Sequence, residues 1–148
     1  MNKDSQQRLR ILFVCYGNKC RSPMAEGIAK KMLKGKAYVD SAGIAAWGSN
    51  ASEEAIEVMK NEFGIDISGH KPKDITYLSL NNFDYIVTID SYIDTIIRKG
   101  YQIKSNKIVS WNINDPYGKS IDDYKKCAIT LQTYIKNLLT KILSNNFF

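Results

Sequence analysis

The chain has one histidine and three cysteines in 148 residues, and no apolar stretch approaches the ~20 residues that a membrane-spanning helix needs. Three thiols do not make a disulfide scaffold, nothing carries the spacing of a metal-ligand cluster, and no internal repeat or low-complexity block is present. The net charge is +6, yet the lysines are scattered, with no basic run or interleaved aromatics of the kind that tracks a nucleic-acid backbone. These absences lead us to expect no metal, no cofactor, no nucleic acid and no membrane. No secretion signal precedes the first apolar segment, so a cytoplasmic protein is expected. With 44% apolar residues, the length suits one domain over 1–148, led by a polar, flexible tail of about residues 1–9.

Strand and helix signals alternate along the chain. Ile11 to Val14 is a fully apolar strand, followed by a helix from about Pro23 to Leu33 and a short strand near Tyr38 to Ser41. Ser52 is an N-cap for a helix reaching about Glu62, with Glu53 and Glu54 in its favourable first turn. Tyr85 to Ile89 and Lys107 to Trp111 read as strands, separated by a helix over Ser91 to Lys99 that Gly100 stops. From Ile121 a long amphipathic helix runs with Tyr124, Cys127, Ala128, Leu131, Tyr134, Ile135, Leu138, Leu139 and Ile142 on one face. Such alternation predicts an α/β fold: a four-stranded parallel sheet flanked by helices on both faces, with ligands bound beyond the carboxyl ends of the strands.

One such strand end carries chemistry. The run CYGNKCRS, Cys15 to Ser22, leaves the first strand and enters the first helix. Successive backbone N–H groups curled around a point form an anion-binding nest, and the helix N-terminus adds its own free amides. Gly17 offers a position where φ can be positive, and Asn18 tolerates the left-handed region. Arg21 presents a planar fork that can grip two oxygens at once, Ser22 can donate to a thiolate, and Pro23 is tolerated in the first helical turn. Helix N-termini and nearby cations lower thiol pKa values to roughly 3.5–7.5, which favours a nucleophilic sulfur at Cys15. Asp115, in a polar turn-rich stretch between a strand and the last helix, reads either as a turn residue before Pro116 or, given the cysteine loop, as the acid that a departing alkoxide or phenoxide needs. The lone His70 reads equally as a catalytic or a structural hydrogen-bonding group.

The segment ILFVCYGNKCRSPMAEG resembles the amino-terminal signature of the low-molecular-weight protein tyrosine phosphatases, and the likeness continues through VDSAG, GIDISGH, FDYIVTID and DPYG. The resemblance implies the family's Rossmann-like fold, no cofactor, and Cys15 as nucleophile, Arg21 as phosphate clamp and Asp115 as general acid. It implies loop support by Asn18, Ser22, Ser41 and His70. Tyr16, Gly17, Asn18, Lys19, Cys20 and Ser22 would contact the substrate through the loop, and Trp47 and Tyr117 would wall a slot for a flat ring, although both also read as half-buried packing. The partner is then a phosphorylated protein or peptide, steered by the cationic surface, with inorganic phosphate as product and a monomer or weak dimer as the working unit. Cys20 is implied as a redox partner for Cys15, its alternative being packing beneath the loop; Cys127 belongs to the core.

Two neighbouring activities stay open. Isoleucine often precedes the second loop cysteine in phosphotyrosine enzymes and threonine in the related protein arginine phosphatases, whereas Lys19 stands here, and DPYGKSIDDY also resembles the arginine-phosphatase branch. MAEG, SAGI and GIDISGH resemble the thioredoxin-coupled arsenate reductases, which pass electrons through further cysteines after the third strand; VTIDSYIDTIIRKG has none.

Overall fold

Ile11, Leu12, Phe13 and Val14 are all fully buried, which is why their stretch of sequence shows no polar alternation: it is a central strand covered on both faces. In a computed structural model that describes residues 8–146, this strand, β1 (Leu9–Cys15), lies in one sheet with β2 (Ala37–Gly43), β3 (Tyr85–Thr88) and β4 (Ile108–Ser110). The order is β2-β1-β3-β4 and every pairing is parallel. β1 therefore leads outward to β2 on one side while β3 leads outward to β4 on the other, and the crevice between the ends of β1 and β3 is the switch point where such sheets bind ligands.

Helices α1 (Arg21–Leu33), α2 (Glu53–Phe63) and α4 (Ile121–Asn146) pack on the face carrying Ile11, Phe13 and Val87. Helix α3 (Ser91–Gly100) covers the other face, where Leu12, Val14 and Ile86 meet Ile93, Ile97 and the short 3-10 turns at Ile75–Tyr77 and Leu80–Asn82. Adjacent residues of β1 point to opposite sides, so one heptapeptide feeds both cores. On α4, the predicted stripe from Tyr124 to Ile142 is buried except for Tyr134, whose ring stands edge-on to Trp111.

The element bounds differ from expectation where tertiary contacts intervene. β1 begins at Leu9, so the expected tail over residues 1–9 is too long by at least this residue; residues 1–7 lie outside those described. Helix α1 begins at Arg21 rather than Pro23, which still leaves Pro23 in the first turn. Gly100 does not stop α3 but is its last residue; Tyr101, in extended conformation, is the cap, and its N–H still reaches the Ile97 carbonyl. Gly64 ends α2 in the left-handed conformation, φ 66°.

Replacing the fully buried Leu131 by alanine should lower stability by about 2–5 kcal/mol. Urea denaturation should show the midpoint falling with an unchanged slope.

Candidate active site

Between Cys15 and Arg21 the backbone turns its carbonyls outward. The Cys15 carbonyl accepts from Ile44 N–H at 3.1 Å, Tyr16 from Ala45 at 2.9 Å, Gly17 from Trp47 at 3.4 Å, Lys19 from Ser52 at 2.9 Å and Cys20 from Met24 at 3.1 Å. The Asn18 carbonyl accepts from His70 Nε2 at 2.9 Å, which requires the proton on that ring nitrogen. None of the N–H groups from Tyr16 to Ser22 donates to an acceptor among the described residues. A loop with its acceptors bonded outward and its donors free is a ring of amides able to seat an anion. Helix α1 extends it: it has no acidic residue in its first turn and no side-chain cap, while α2, α3 and α4 carry Glu53 and Glu54, Asp94, and Asp122 and Asp123 there.

Asn18 makes the bend, with φ 57°. Gly17, expected to share that role, does not have a positive φ; its missing side chain is needed for space, because a methyl there would lie 2.7 Å from Trp47 Nε1. Gly43 is required for a similar reason. A methyl on it would sit 2.6 Å from the Tyr16 carbonyl oxygen and 2.9 Å from Asn18 N, so the end of β2 is pressed against the loop.

At the floor, Cys15 Sγ lies 2.8 Å from Ser22 Oγ. Asn18 Nδ2 donates to Ser22 Oγ at 2.8 Å and to Ser41 Oγ at 3.0 Å, bringing together Asn18, Ser22, Ser41 and His70 behind the loop. Burial is the chief influence on the His70 imidazole and pushes its pKa below 6.5, against the hydrogen bond to Asn18 and the nearby Glu26 and Asp40 charges.

The Arg21 guanidinium is only 3% exposed. Its NH1 donates to Asp90 Oδ2 at 2.8 Å and to the Ile113 carbonyl at 2.7 Å, and its NH2 lies 3.7 Å from Asp115 Oδ2. Burial opposes its charge, but the Cys15 sulfur, Asp90 and Asp115 outweigh that and raise its pKa. Asp115 is half exposed, and its Oδ1 accepts from Tyr117 N–H at 3.0 Å. Cys15, Arg21, Asp115 and the loop line a cavity of about 170 Å³ together with Tyr16, Lys19, Trp47 and Tyr117. At its mouth the Trp47 and Tyr117 rings stand at 89° with centroids 5.6 Å apart, and Lys19 Nζ lies 4.2 Å from the Trp47 centroid.

Cys20 is a wall residue of this cavity, free and buried, with its sulfur 3.4 Å from both Ser52 Oγ and Tyr124 Oη. Desolvation raises its pKa despite those hydroxyls, and it pushes Cys127 up to about 12. Cys127 lies in the core.

Sequence reading missed Asp90, Glu26 and Lys73. Asp90 uses Oδ1 to cap α3 through Ile93 N–H at 2.9 Å and Oδ2 to hold Arg21. Its strand-end position before a helix was the available signal. Glu26 and Lys73 carry none, being a helix-face acid and a loop lysine that reach Ser41 and Asn18 through the fold.

The pattern of the family described as "Low molecular weight phosphotyrosine protein phosphatase" matches residues 10–146. The chain is 40% identical over 133 residues to a Staphylococcus epidermidis protein named arsenate reductase 2, covering 88% of this chain and 96% of that one. Among solved structures, a low molecular weight protein tyrosine phosphatase from T. tengcongensis superposes with a TM-score of 0.83 at 37% identity, covering 90% of this chain and 99% of the other. An arginine phosphatase from Geobacillus stearothermophilus superposes with a TM-score of 0.82 at 30% identity, covering 94% and 96%.

The depressed His70 pKa makes stability pH-dependent with a definite sign. Between its folded value and 6.5 the unfolded chain binds more protons, so this contribution is complete above 6.5 and is lost as pH falls through that window. Thermal midpoints measured from about pH 8 down to about pH 5 should fall less steeply for His70→Asn than for the unsubstituted protein. Parallel curves would refute the assignment.

Proposed function

Because the chain belongs to the low molecular weight phosphotyrosine protein phosphatase family and is a cysteine-dependent phosphatase, we propose that it hydrolyses phosphotyrosine-type phosphomonoesters of proteins through a phosphocysteine intermediate. The observation that carries this reading is the loop whose carbonyls are all bonded outward around the Cys15 sulfur.

In the proposed reaction the sulfur of Cys15 attacks phosphorus as the bond to the leaving oxygen breaks. The amides of Tyr16 to Ser22 and the Arg21 guanidinium hold the three equatorial oxygens. Asp90 and the Ile113 carbonyl both take NH1, which leaves the rest of the fork for phosphate. Asp115 gives its proton to the departing oxygen. Tyr117 N–H anchors Oδ1, which leaves Oδ2 to face the leaving oxygen. Water then attacks phosphorus, Asp115 takes the water's proton, and the S–P bond breaks to return the thiolate and inorganic phosphate. Asn18, Ser22, Ser41 and His70 hold the loop in shape.

The Trp47 and Tyr117 rings, in edge-to-face contact at the cavity mouth, offer aromatic surface against which a flat leaving group can lie. Arginine dephosphorylation, the activity named for the Geobacillus relative, is the competing substrate choice. Arsenate reduction, named for the Staphylococcus relative, is disfavoured because β3 leads into Ile89, Asp90 and α3 without a cysteine to relay electrons. A thiolate mechanism requires a reducing compartment, so we assign the activity to the cytoplasm.

Cleavage of para-nitrophenyl phosphate in the presence of a chelator should vanish in Cys15→Ser and slow by roughly 10²–10⁴-fold in Asp115→Asn. Phosphotyrosine peptides should turn over faster than phosphoarginine peptides at equal concentration; the reverse order would transfer the chain to the other substrate. Arsenate turnover coupled to thioredoxin, without ester cleavage, would overturn the hydrolase reading altogether.

We assign Cys20 to protection of an oxidised Cys15: its thiol condenses with a Cys15 sulfenic acid, forming a disulfide and releasing water. After peroxide treatment, dithiothreitol should restore less activity to Cys20→Ser than to the unsubstituted enzyme. Equal recovery would leave Cys20 as packing.

A further inference from the structure

Behind the nucleophile the proton directions can be read one after another. Asn18 Oδ1 accepts from the backbone N–H of Lys73 at 3.0 Å, and a backbone N–H only donates, so the carboxamide orientation is settled. Its Nδ2 must then face both hydroxyls as donor, toward Ser22 Oγ at 2.8 Å and Ser41 Oγ at 3.0 Å. Each serine has one proton left. Ser41 sends its proton to Glu26 Oε1 at 2.5 Å, and Ser22, already accepting from Asn18, has Cys15 Sγ at 2.8 Å for its own.

We propose that Glu26 is a positioning residue for the nucleophile: by taking the Ser41 proton it keeps the Asn18 carboxamide turned so that the only Ser22 proton is committed to the Cys15 sulfur. Without an acceptor on that side, the Ser41 proton turns back toward Asn18 and meets another N–H. The conflict at Ser41 is relieved if the carboxamide flips, which gives up the bond from Lys73 and moves the donor–donor contact to that N–H. The flip sets Oδ1 against Ser22, which then donates to Asn18 and abandons the sulfur. Glu26 is held for this task from α1, its second oxygen paired with Lys30 Nζ at 2.5 Å. The inference rests on Cys15 being the reactive group but not on which ester is cleaved.

The test reads Cys15 directly. The pH dependence of its alkylation by iodoacetamide is followed by the mass of the Cys15 peptide, so Cys20 and Cys127 do not contribute. Arg21 with Asp90 and Asp115 around the sulfur, Lys30 and His70 near the carboxylate, and Asp40 and Lys73 near His70 are unsubstituted in all variants. In Glu26→Ala the midpoint should rise by about one pH unit, a roughly tenfold slower reaction on the acid side. Glu26→Gln keeps an acceptor oxygen while losing the charge, and its midpoint should stay at or slightly below the unsubstituted value. Charge loss alone would move both variants downward, so the sign separates the two effects. An unchanged or lowered midpoint in Glu26→Ala, or an equal rise in Glu26→Gln, would overturn the proposal. If Glu26→Ala fails to fold, Glu26→Met keeps the bulk of the side chain while removing the acceptor oxygen and leaving the Ser41 proton in place; a rise supports the relay and an unmoved or lowered midpoint defeats it. A protein that shows these alkylation shifts yet cleaves no phosphate ester would retain the relay and lose only the proposed substrate.

Discussion

Free amides around a sulfur can persist only if the carbonyls between them are bonded to something else. That constraint organises much of the structure. The acceptors of Cys15 to Cys20 are satisfied from three separate stretches: Ile44 to Trp47 after β2, Ser52 at the start of α2, and His70 before the 3-10 turns, with Met24 closing the ring from α1 itself. Each is a polar partner inside or beside the core, where an unpaired carbonyl would cost about as much as a lost hydrogen bond. The fold thus fixes the loop by occupying the face of each peptide that points away from the site.

Charge is arranged by the same division of labour. The buried Arg21 would be costly alone, and Asp90 compensates it while its second oxygen caps α3. Tying one end of the fork leaves the other aimed at the cavity, toward Asp115. Acids are present in the first turns of α2, α3 and α4 and lacking in that of α1, so the helix that continues directly from the nest keeps its N-terminal field for a ligand.

Several glycines and aromatics take their meaning from close approach. Asn18 carries the left-handed bend by itself, which its tolerance of that region made readable in advance. Gly17 was expected to help for the same conformational reason, but its role is to let the Trp47 ring come near, and that ring belongs to a loop thirty positions away. Gly100 shows the converse: glycine is a frequent helix terminator, yet here the helix carries through it and ends at Tyr101 in extended form. Propensity describes what a residue permits, and the packing around it decides which permission is used.

The order of chemistry along the chain determined a good deal unaided. An uninterrupted apolar run identified a doubly covered strand, the stripe from Tyr124 to Ile142 identified the helix that covers it, and the spacing from Cys15 to Arg21 marked an anion loop, because each is a local pattern with a period or a fixed reach. The partners of those groups were decided by tertiary structure alone. Glu26 on Ser41 is an ordinary helix-face acid, Lys73 meets Asn18 through its backbone N–H, which no side chain advertises, and the strand-end place of Asp90 did not reveal that its partner is Arg21. They acquire roles when a parallel sheet brings strand ends from distant positions to one edge, since a hydrogen bond depends on distance and direction in space and leaves no trace in the spacing of residues along a chain.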